Sequence, residues 1–145
     1  MTDYQGWIAE VNSLSLQDVI DTLKPDPRRG AITTFTGITR ADSDHEEHTV
    51  KHIEIEAWEG KSSEAMNQIA DEIGKEFNLL GLRIVHLEGI IPVGEPIVFI
   101  VISSAHRKEA FTALERAIYR YKHDSPVWKK EVYDDGSGRW ITTAK

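Results

Sequence analysis

The sequence predicts an α+β fold with a mixed or antiparallel sheet, hairpins and three main helices. Apolar residues recur at helical spacing in some segments and at strand spacing in others, in the order α, β, β, α, β, β, α, β, β. Because the strands come in pairs, this order differs from the regular alternation of a doubly wound sheet. A chain of 145 residues with 40% hydrophobic content has the size and composition of one globular domain, so a single domain over residues 1–145 is expected.

The first half of the chain carries signals for one helix and two strands. Ser15 followed by Asp18 has the hydroxyl-and-acid form of a helix start, and the prolines of residues 24–27 would end that helix. Residues 30–39 are rich in β-branched side chains, which favours a strand. Residues 50–58 alternate between apolar and polar side chains, which predicts a strand with one buried face.

The middle of the chain predicts a helix and two further strands. Residues 62–78 place apolar side chains at helical spacing. Residues 82–91 and 97–102 are strand-like and are separated by a turn containing proline and glycine. The second of these strands is apolar throughout, which predicts a central strand covered on both faces.

The last third predicts a helix followed by a hairpin. Ser104 is expected to cap the helix, Phe111 to lie on its buried face, and Pro126 to end it. Residues 127–133 and 139–142 are strand-like, and the aspartates and glycines between them are typical of a hairpin turn.

Composition excludes several kinds of function. The chain contains no cysteine, so disulfides, thiolate metal sites and a thiol nucleophile are excluded. Its net charge of -7 argues against nucleic-acid binding. The six histidines show no pattern of metal ligands, so no metal is expected. There is no membrane-length apolar run and no secretory leader pattern, and a cytoplasmic location is therefore expected.

Positive charge is concentrated near the end of the chain. Residues 104–131 contain seven Lys or Arg and four Asp or Glu, a local charge of +3 in a chain at -7. Such an island on an acidic protein favours a small anionic ligand. A helix with a basic solvent-exposed face would give the same count.

One lysine lies near the end of the third predicted helix, and two more follow that helix closely. Lys122 precedes Pro126, and Lys129 and Lys130 come directly after Trp128. The proline stiffens this segment, and the tryptophan is expected to anchor it in the core. Lysines held on a rigid segment lose little freedom when they bind an anion. The alternative is that they are solvated charges at a strand edge.

Two other groups of residues suit anion binding. His106 and Arg107 follow the most apolar strand at the start of a helix, where free N–H groups and the helix dipole favour anions. Arg40 lies at the exit of a strand that contains Gly37, where backbone can approach a ligand closely. Alternatively, His106 caps the helix or packs locally, Arg107 forms an ion pair with an acidic residue, and Arg40 only increases solubility.

In this order and spacing, the three groups resemble the large catalytic subunit of molybdopterin synthase, the MoaE family. The resemblance extends from the first predicted helix to Trp140. The matching stretches are 30–40, 55–57, 94–95, 104–107, 110–111, 122–131 and 135–136.

The resemblance implies an enzyme that converts cyclic pyranopterin monophosphate into molybdopterin by adding two sulfur atoms as a dithiolene. A small ubiquitin-like subunit with a Gly-Gly C-terminus would deliver the sulfur as a thiocarboxylate, so no cofactor is expected. Two large subunits would form a central homodimer within a heterotetramer. The implied fold is of the α/β-hammerhead type.

The resemblance also implies roles for particular residues. Lys122 and Lys129 match the catalytic lysines, which we expect to orient the thiocarboxylate and to stabilise developing charge. The matching substrate-binding positions are Ile38, Thr39, Arg40, His106, Arg107, Lys130 and Glu131. His106 and Arg107 are expected to hold the phosphate.

Other interpretations remain for the same sequence. A non-catalytic dimeric scaffold would bind a ubiquitin-like partner or a phosphorylated ligand without turnover. An RNA-binding domain is disfavoured by the acidic charge and by the lack of interleaved basic and aromatic strand residues. The sequence also leaves open whether the acidic loop 41–50 folds over the pocket.

Overall fold

A computed structural model describes residues 1–141 of the chain. Within this part, seven strands and three helices form the fold. In chain order they are β1 (Tyr4–Glu10), α1 (Leu16–Ile20), β2 (Ala31–Ile38), β3 (Val50–Ala57), α2 (Lys61–Glu76), β4 (Gly81–Pro92), β5 (Pro96–Ser104), α3 (Arg107–Asp124), β6 (Val127–Tyr133) and β7 (Gly138–Ile141). The predicted α+β class, with a mixed sheet, hairpins and three helices, is confirmed.

All seven strands belong to one sheet that is organised around β4. The order is β2-β5-β4-β3-β6-β7, and β1 adds to β4 as the parallel neighbour in this otherwise antiparallel sheet. Residues 82–88 of β4 pair with β1, and residues 81–86 pair with β5. From Gly89 onward β4 pairs with β3 instead. Gly89 has a φ of +118°, which glycine adopts readily because it has no Cβ.

Two apolar clusters lie within the fold. In the first, α2 and α3 pack on the sheet through Met66, Ile73 and Ala113, against Ile84 and Ile100 of the strands. The second cluster combines apolar side chains of α1 and of the strands. Its most buried members are Val19, Val50, Ile53, Val85, Leu87, Ile91, Val101 and Tyr133. β4 and β5 contribute to both clusters, as expected for strands covered on both faces.

The first strand was not predicted from the sequence. β1 alternates only weakly between apolar and polar residues, and the strand that it pairs with, β4, lies more than seventy residues away. Its other edge is satisfied by α2, where Asn67 Oδ1 accepts from Gly6 N at 3.1 Å and Ser63 Oγ accepts from Ile8 N at 3.1 Å. The spacing of apolar and polar residues within a segment does not reveal partners that lie this far away in the sequence.

The predictions for α3 need two corrections. Its N-cap is His106 rather than Ser104, whose hydroxyl instead donates to the backbone oxygen of His106 at 2.8 Å. Phe111 is 59% exposed, so its predicted burial is wrong. The buried face is formed by alanines such as Ala110 and Ala113, which let the helix approach the sheet closely.

The predicted hairpin at the end of the chain is confirmed for the described residues. β6 and β7 pair antiparallel, and Tyr133 N donates to Ser137 O at 2.8 Å across the turn. Thr142, the last residue of the predicted strand, lies outside the described residues. No helix between residues 1 and 141 combines the length and the apolar character needed to cross a membrane.

Gly74 provides a test of how tightly β1 packs on α2. A Cβ at this buried helical position would overlap the ring of Tyr4. Replacing a mid-helix glycine by alanine normally stabilises a helix by about 1 kcal/mol. Here we expect Gly74→Ala to lower the free energy of unfolding by about 1–3 kcal/mol because the site becomes overpacked. Urea unfolding monitored by circular dichroism measures this change.

The matched control is the same substitution in a Tyr4→Ala background. There the ring is absent, so Gly74→Ala should regain its usual stabilising sign. A stabilising effect in the presence of Tyr4 would contradict the packing described.

Candidate functional site

The sheet has two parts that share β4: one contains β1, β5 and β2, and the other contains β3, β6 and β7. A cavity of about 550 Å³ opens where these two parts meet. Strands from both parts, the end of α3 and the loop after β2 all contribute to its walls. The lining residues are Phe35, Thr36, Gly37, Ile38, Thr39, Arg40, Asp42, Asp44, His45, Ile53, Ile55, His86, Ile97, Val98, Tyr121, Lys122, Ser125, Val127, Lys129, Glu131 and Ile141.

Three cationic side chains from separate elements meet at this cavity. Arg40 follows β2, Lys122 lies in the last turn of α3, and Lys129 is on β6. The helix dipole also favours a cation at the position of Lys122. Cations brought together from three elements form a site suited to an anion with several oxygen atoms.

The surroundings of Lys129 alter its acidity. Its side chain is half-buried, and burial lowers its pKa below the ordinary value for lysine. The positive charges of Lys122 and Arg40 lower this pKa further, whereas Glu131 and Asp44 act in the opposite direction. Lys129 therefore releases a proton more readily than a solvated lysine does.

His86 supplies an uncharged group in the cavity wall. It lies on β4, is 6% exposed, and its Nδ1 is 2.9 Å from the carbonyl oxygen of Leu87. Burial, with a smaller contribution from the charge of Lys129, lowers the pKa of His86 to about 4. The ring is therefore neutral near pH 7, with Nδ1 donating to the carbonyl and Nε2 left as an acceptor. The rings of His86 and Tyr121 lie in an edge-to-face arrangement, with 5.6 Å between their centroids.

Glu131 lines the cavity while its carboxylate holds the loop after β2. Glu131 Oε1 accepts hydrogen bonds from Ser43 Oγ at 2.7 Å and from Tyr133 Oη at 2.8 Å. Glu131 is 7% exposed, so these bonds satisfy a nearly buried carboxylate. The loop thus folds over the cavity, where Asp44 and His45 join its lining.

Ile38 and Thr39 complete one wall next to Arg40. Ile38 is 44% exposed and offers an apolar surface to the cavity. Thr39 is 2% exposed, and its Oγ1 has no hydrogen-bond partner among residues 1–141. A buried hydroxyl without a partner is suited to bonding a ligand.

The structure does not bring all the predicted site residues together. His106 and Arg107 are exposed at the start of α3, and neither lines the cavity of this chain. A helix rises about 1.5 Å per residue, so His106 lies about 24 Å along α3 from Lys122. His106 Nδ1 is 3.8 Å from Glu109 Oε1, and its backbone N–H donates to the same carboxylate.

The other predicted site residues on β6 lie on two different faces of the strand. Lys129 and Glu131 face the cavity, whereas Lys130 places its Nζ 5.7 Å from the centroid of the Trp140 ring. Successive strand residues point to opposite faces, so adjacent lysines cannot both face the cavity. Trp128, on the same face as Lys130, is 48% exposed, and the prediction that it anchors the segment in the core is wrong.

Within residues 1–141, one group of side chains could hold a metal ion. His48, Asp134 and Asp135 place one ligand atom each within 4.8 Å of one another, and all three are exposed. None of them lines the cavity. The expectation that the function needs no metal stays a prediction.

The buried neutral state of His86 has a consequence for acid stability. The unfolded chain takes up a proton on this histidine near pH 6.5, whereas the folded chain does so only near pH 4. Stability is therefore lost as pH falls between these values, because the unfolded state binds more protons. The free energy of unfolding of the original chain should fall by about 2 kcal/mol between pH 7 and about pH 5 because of this histidine, and His86→Gln should abolish that fall.

Urea unfolding at several pH values measures this loss in both proteins. His106→Gln serves as the matched control, since His106 is 83% exposed in its side chain, and it should retain the pH dependence of the original chain. Parallel pH profiles for the original chain and His86→Gln would refute the assignment.

Comparison with known proteins identifies the family. The model of the MoaE protein family matches residues 9–124. The molybdopterin synthase catalytic subunit of Bacillus subtilis (strain 168) is 41% identical over 112 residues, covering 77% of this chain and 69% of that protein. A probable molybdopterin synthase of Haloferax volcanii is 32% identical over 140 residues, covering 92% of this chain, which spans only 54% of that relative's length.

A solved structure agrees with this match. The crystal structure of molybdopterin synthase from Staphylococcus aureus superimposes with a TM-score of 0.83 and 28% identity, covering 98% of both chains. The chain therefore belongs to the MoaE family, the family of molybdopterin synthase catalytic subunits.

Proposed function

We propose that this chain is the large catalytic subunit that converts cyclic pyranopterin monophosphate into molybdopterin. The observation that carries the proposal is the meeting of Arg40, Lys122 and Lys129 at one cavity, within a chain of this family. A cyclic phosphate is an anion with several oxygen acceptors. The planar guanidinium of Arg40 suits two such oxygens, and the lysines supply further positive charge.

The sulfur is proposed to come from a second protein. The chain has no cysteine, so it contains no thiol that could carry the two sulfur atoms of the dithiolene. A small ubiquitin-like subunit with a Gly-Gly C-terminus would bring each sulfur atom as a thiocarboxylate. Such a narrow tail can enter a cavity of about 550 Å³ next to a small ligand, and no other cofactor is then required.

The two lysines are assigned different parts of the reaction. Lys122 would orient the anionic thiocarboxylate and stabilise the charge that develops as sulfur attacks. Lys129 could also transfer a proton, because burial and the neighbouring cations lower its pKa. Ile38 and Thr39 would contact the substrate beside Arg40, and Glu131 would contribute by holding the loop over the cavity.

His106 and Arg107 can hold the phosphate only if a second subunit brings them to the cavity. Both are exposed and lie far from the cavity of their own chain. The proposed homodimer of large subunits, with one small subunit at each end, provides that possibility. Lys130 stays a predicted substrate contact, although its ammonium lies over Trp140.

The proposed place of action is the cytoplasm, with residues 1–145 working as one domain. The dithiolene product carries two thiolates, which persist in a reducing compartment and are oxidised elsewhere. This chemistry supports a cytoplasmic location.

Lys122→Ala tests the central assignment. The purified chain is mixed with the thiocarboxylated small subunit and the cyclic pterin monophosphate, and the product is oxidised to a fluorescent pterin. Loss of one charge-stabilising group in a partly enclosed site is expected to lower the rate by at least about 100-fold. Lys75→Ala, at an exposed position on α2, is the matched control and should keep full activity.

The outcomes of this assay separate the possible functions. A fully active Lys122→Ala variant would refute the role of Lys122. A stable complex with the small subunit, but no product from the original chain, would favour the non-catalytic scaffold.

Mixing two inactive variants tests whether the dimer completes the cavity. Arg107→Ala and Lys122→Ala are each expected to be inactive as homodimers. In a mixed dimer, one of the two cavities receives an intact Lys122 from its own chain and an intact Arg107 from the other. Random exchange should therefore restore about a quarter of the original activity. No recovery, with exchange verified by mass spectrometry, would place Arg107 outside the partner's cavity.

A further inference from the structure

We propose that Asp44 competes with anionic ligands for Arg40. Its carboxylate forms an ion pair with Arg40 until an anionic ligand displaces it. This inference rests on the proposed function, because it concerns the same cavity. It assigns Asp44 a role in specificity: only an anion that binds the cations better than one carboxylate does can enter.

The first support is the position of the carboxylate. Asp44 Oδ2 lies 3.2 Å from Nη2 of Arg40, and both residues line the cavity. The negative charge of Asp44 also acts on Lys129, whose pKa it raises while Arg40 lowers it. Asp44 thus balances part of the positive charge that Arg40 and Lys129 bring to the cavity.

The second support is that other residues hold the loop in place. Ser43 Oγ donates to Glu131 at 2.7 Å and accepts from the backbone nitrogens of His45 and Glu46 at 3.1 Å each. Arg139 donates to the carbonyl oxygen of His45 at 3.1 Å. These contacts do not involve the carboxylate of Asp44, and they hold the loop in place on both sides of this residue.

The third support is the modest strength expected of this ion pair. The side chains of Arg40 and Asp44 are 63% and 48% exposed. Pairs this exposed change a binding constant by at most about fivefold. A phosphate that engages Arg40 through two oxygens, together with the lysines, can displace such a carboxylate, whereas a simple carboxylate gains little by doing so.

The test measures binding of inorganic phosphate to the purified chain by isothermal titration calorimetry at low salt. Asp44→Asn keeps the size of the side chain and removes its charge, so phosphate should bind about two- to fivefold more tightly. Glu47→Gln is the matched control, because Glu47 is exposed on the same loop and does not line the cavity. Its phosphate affinity should equal that of the original chain.

A double-mutant cycle then shows whether Asp44 acts through Arg40. In an Arg40→Gln background, Asp44→Asn should give a smaller gain than in the original chain, because the carboxylate then competes only through the remaining cations. Equal gains from Asp44→Asn and Glu47→Gln, an undiminished gain in the absence of Arg40, or undetectable phosphate binding by every variant would each overturn the inference.

These outcomes are distinct from failure of the proposed function. If the original chain makes dithiolene product but Asp44→Asn does not tighten phosphate binding, only the role of Asp44 is wrong. If Asp44→Asn tightens phosphate binding while no chain makes product, the anion site stands and the proposed reaction does not.

Discussion

The shared strand β4 is the constraint on which the rest of the structure depends. Its first seven residues, 81–87, are buried, and it exchanges strand partners at Gly89, where only a residue that tolerates positive φ fits easily. This exchange joins β2 and β5 on one side of the fold to β3 and β6 on the other. The cavity lies at the junction, so Arg40 and Lys129 meet only because β4 belongs to both parts of the sheet.

The cavity shows how a binding site can oppose stability. Lys129 is half-buried near two other cations, and its lowered pKa means that the folded protein holds this charge less readily than the unfolded chain does. The depressed pKa makes folding less favourable wherever the lysine is charged in both states, and this penalty fades as pH rises through the lowered pKa. The negative charges of Asp44 and Glu131 offset part of the repulsion among these cations. Such local conflict is expected at a functional site rather than in a structural core.

The sequence predicted the local features of the fold well and the long-range ones less well. Helical spacing, β-branched runs and turn residues located three helices and six of the seven strands, because each depends on neighbouring residues. Strand β1 was missed because its partners lie far away in the chain. The cationic residues Lys122, Lys129 and Arg40 were found through charge and resemblance, whereas His86 and Asp44 were not. A histidine within an apolar strand and an acid within a charged loop resemble ordinary residues until the fold places them at a cavity. The separation of His106 from the lysines also follows from the length of α3, which residue order alone does not convey.

Because side chains alternate between the two faces of β6, the proposed reaction depends on the register in which β6 pairs with β3. Lys129 pairs with Ile55 of β3 and faces inward, while Lys130 pairs with Glu54 and faces the other side. A shift by a single residue would turn Trp128 and Lys130 toward the cavity and remove both Lys129 and the carboxylate that holds the loop. Insertions or deletions of one residue between α3 and β6 should therefore be far more harmful than substitutions there. Over evolutionary time, the length of this connection would be preserved even where its composition drifts.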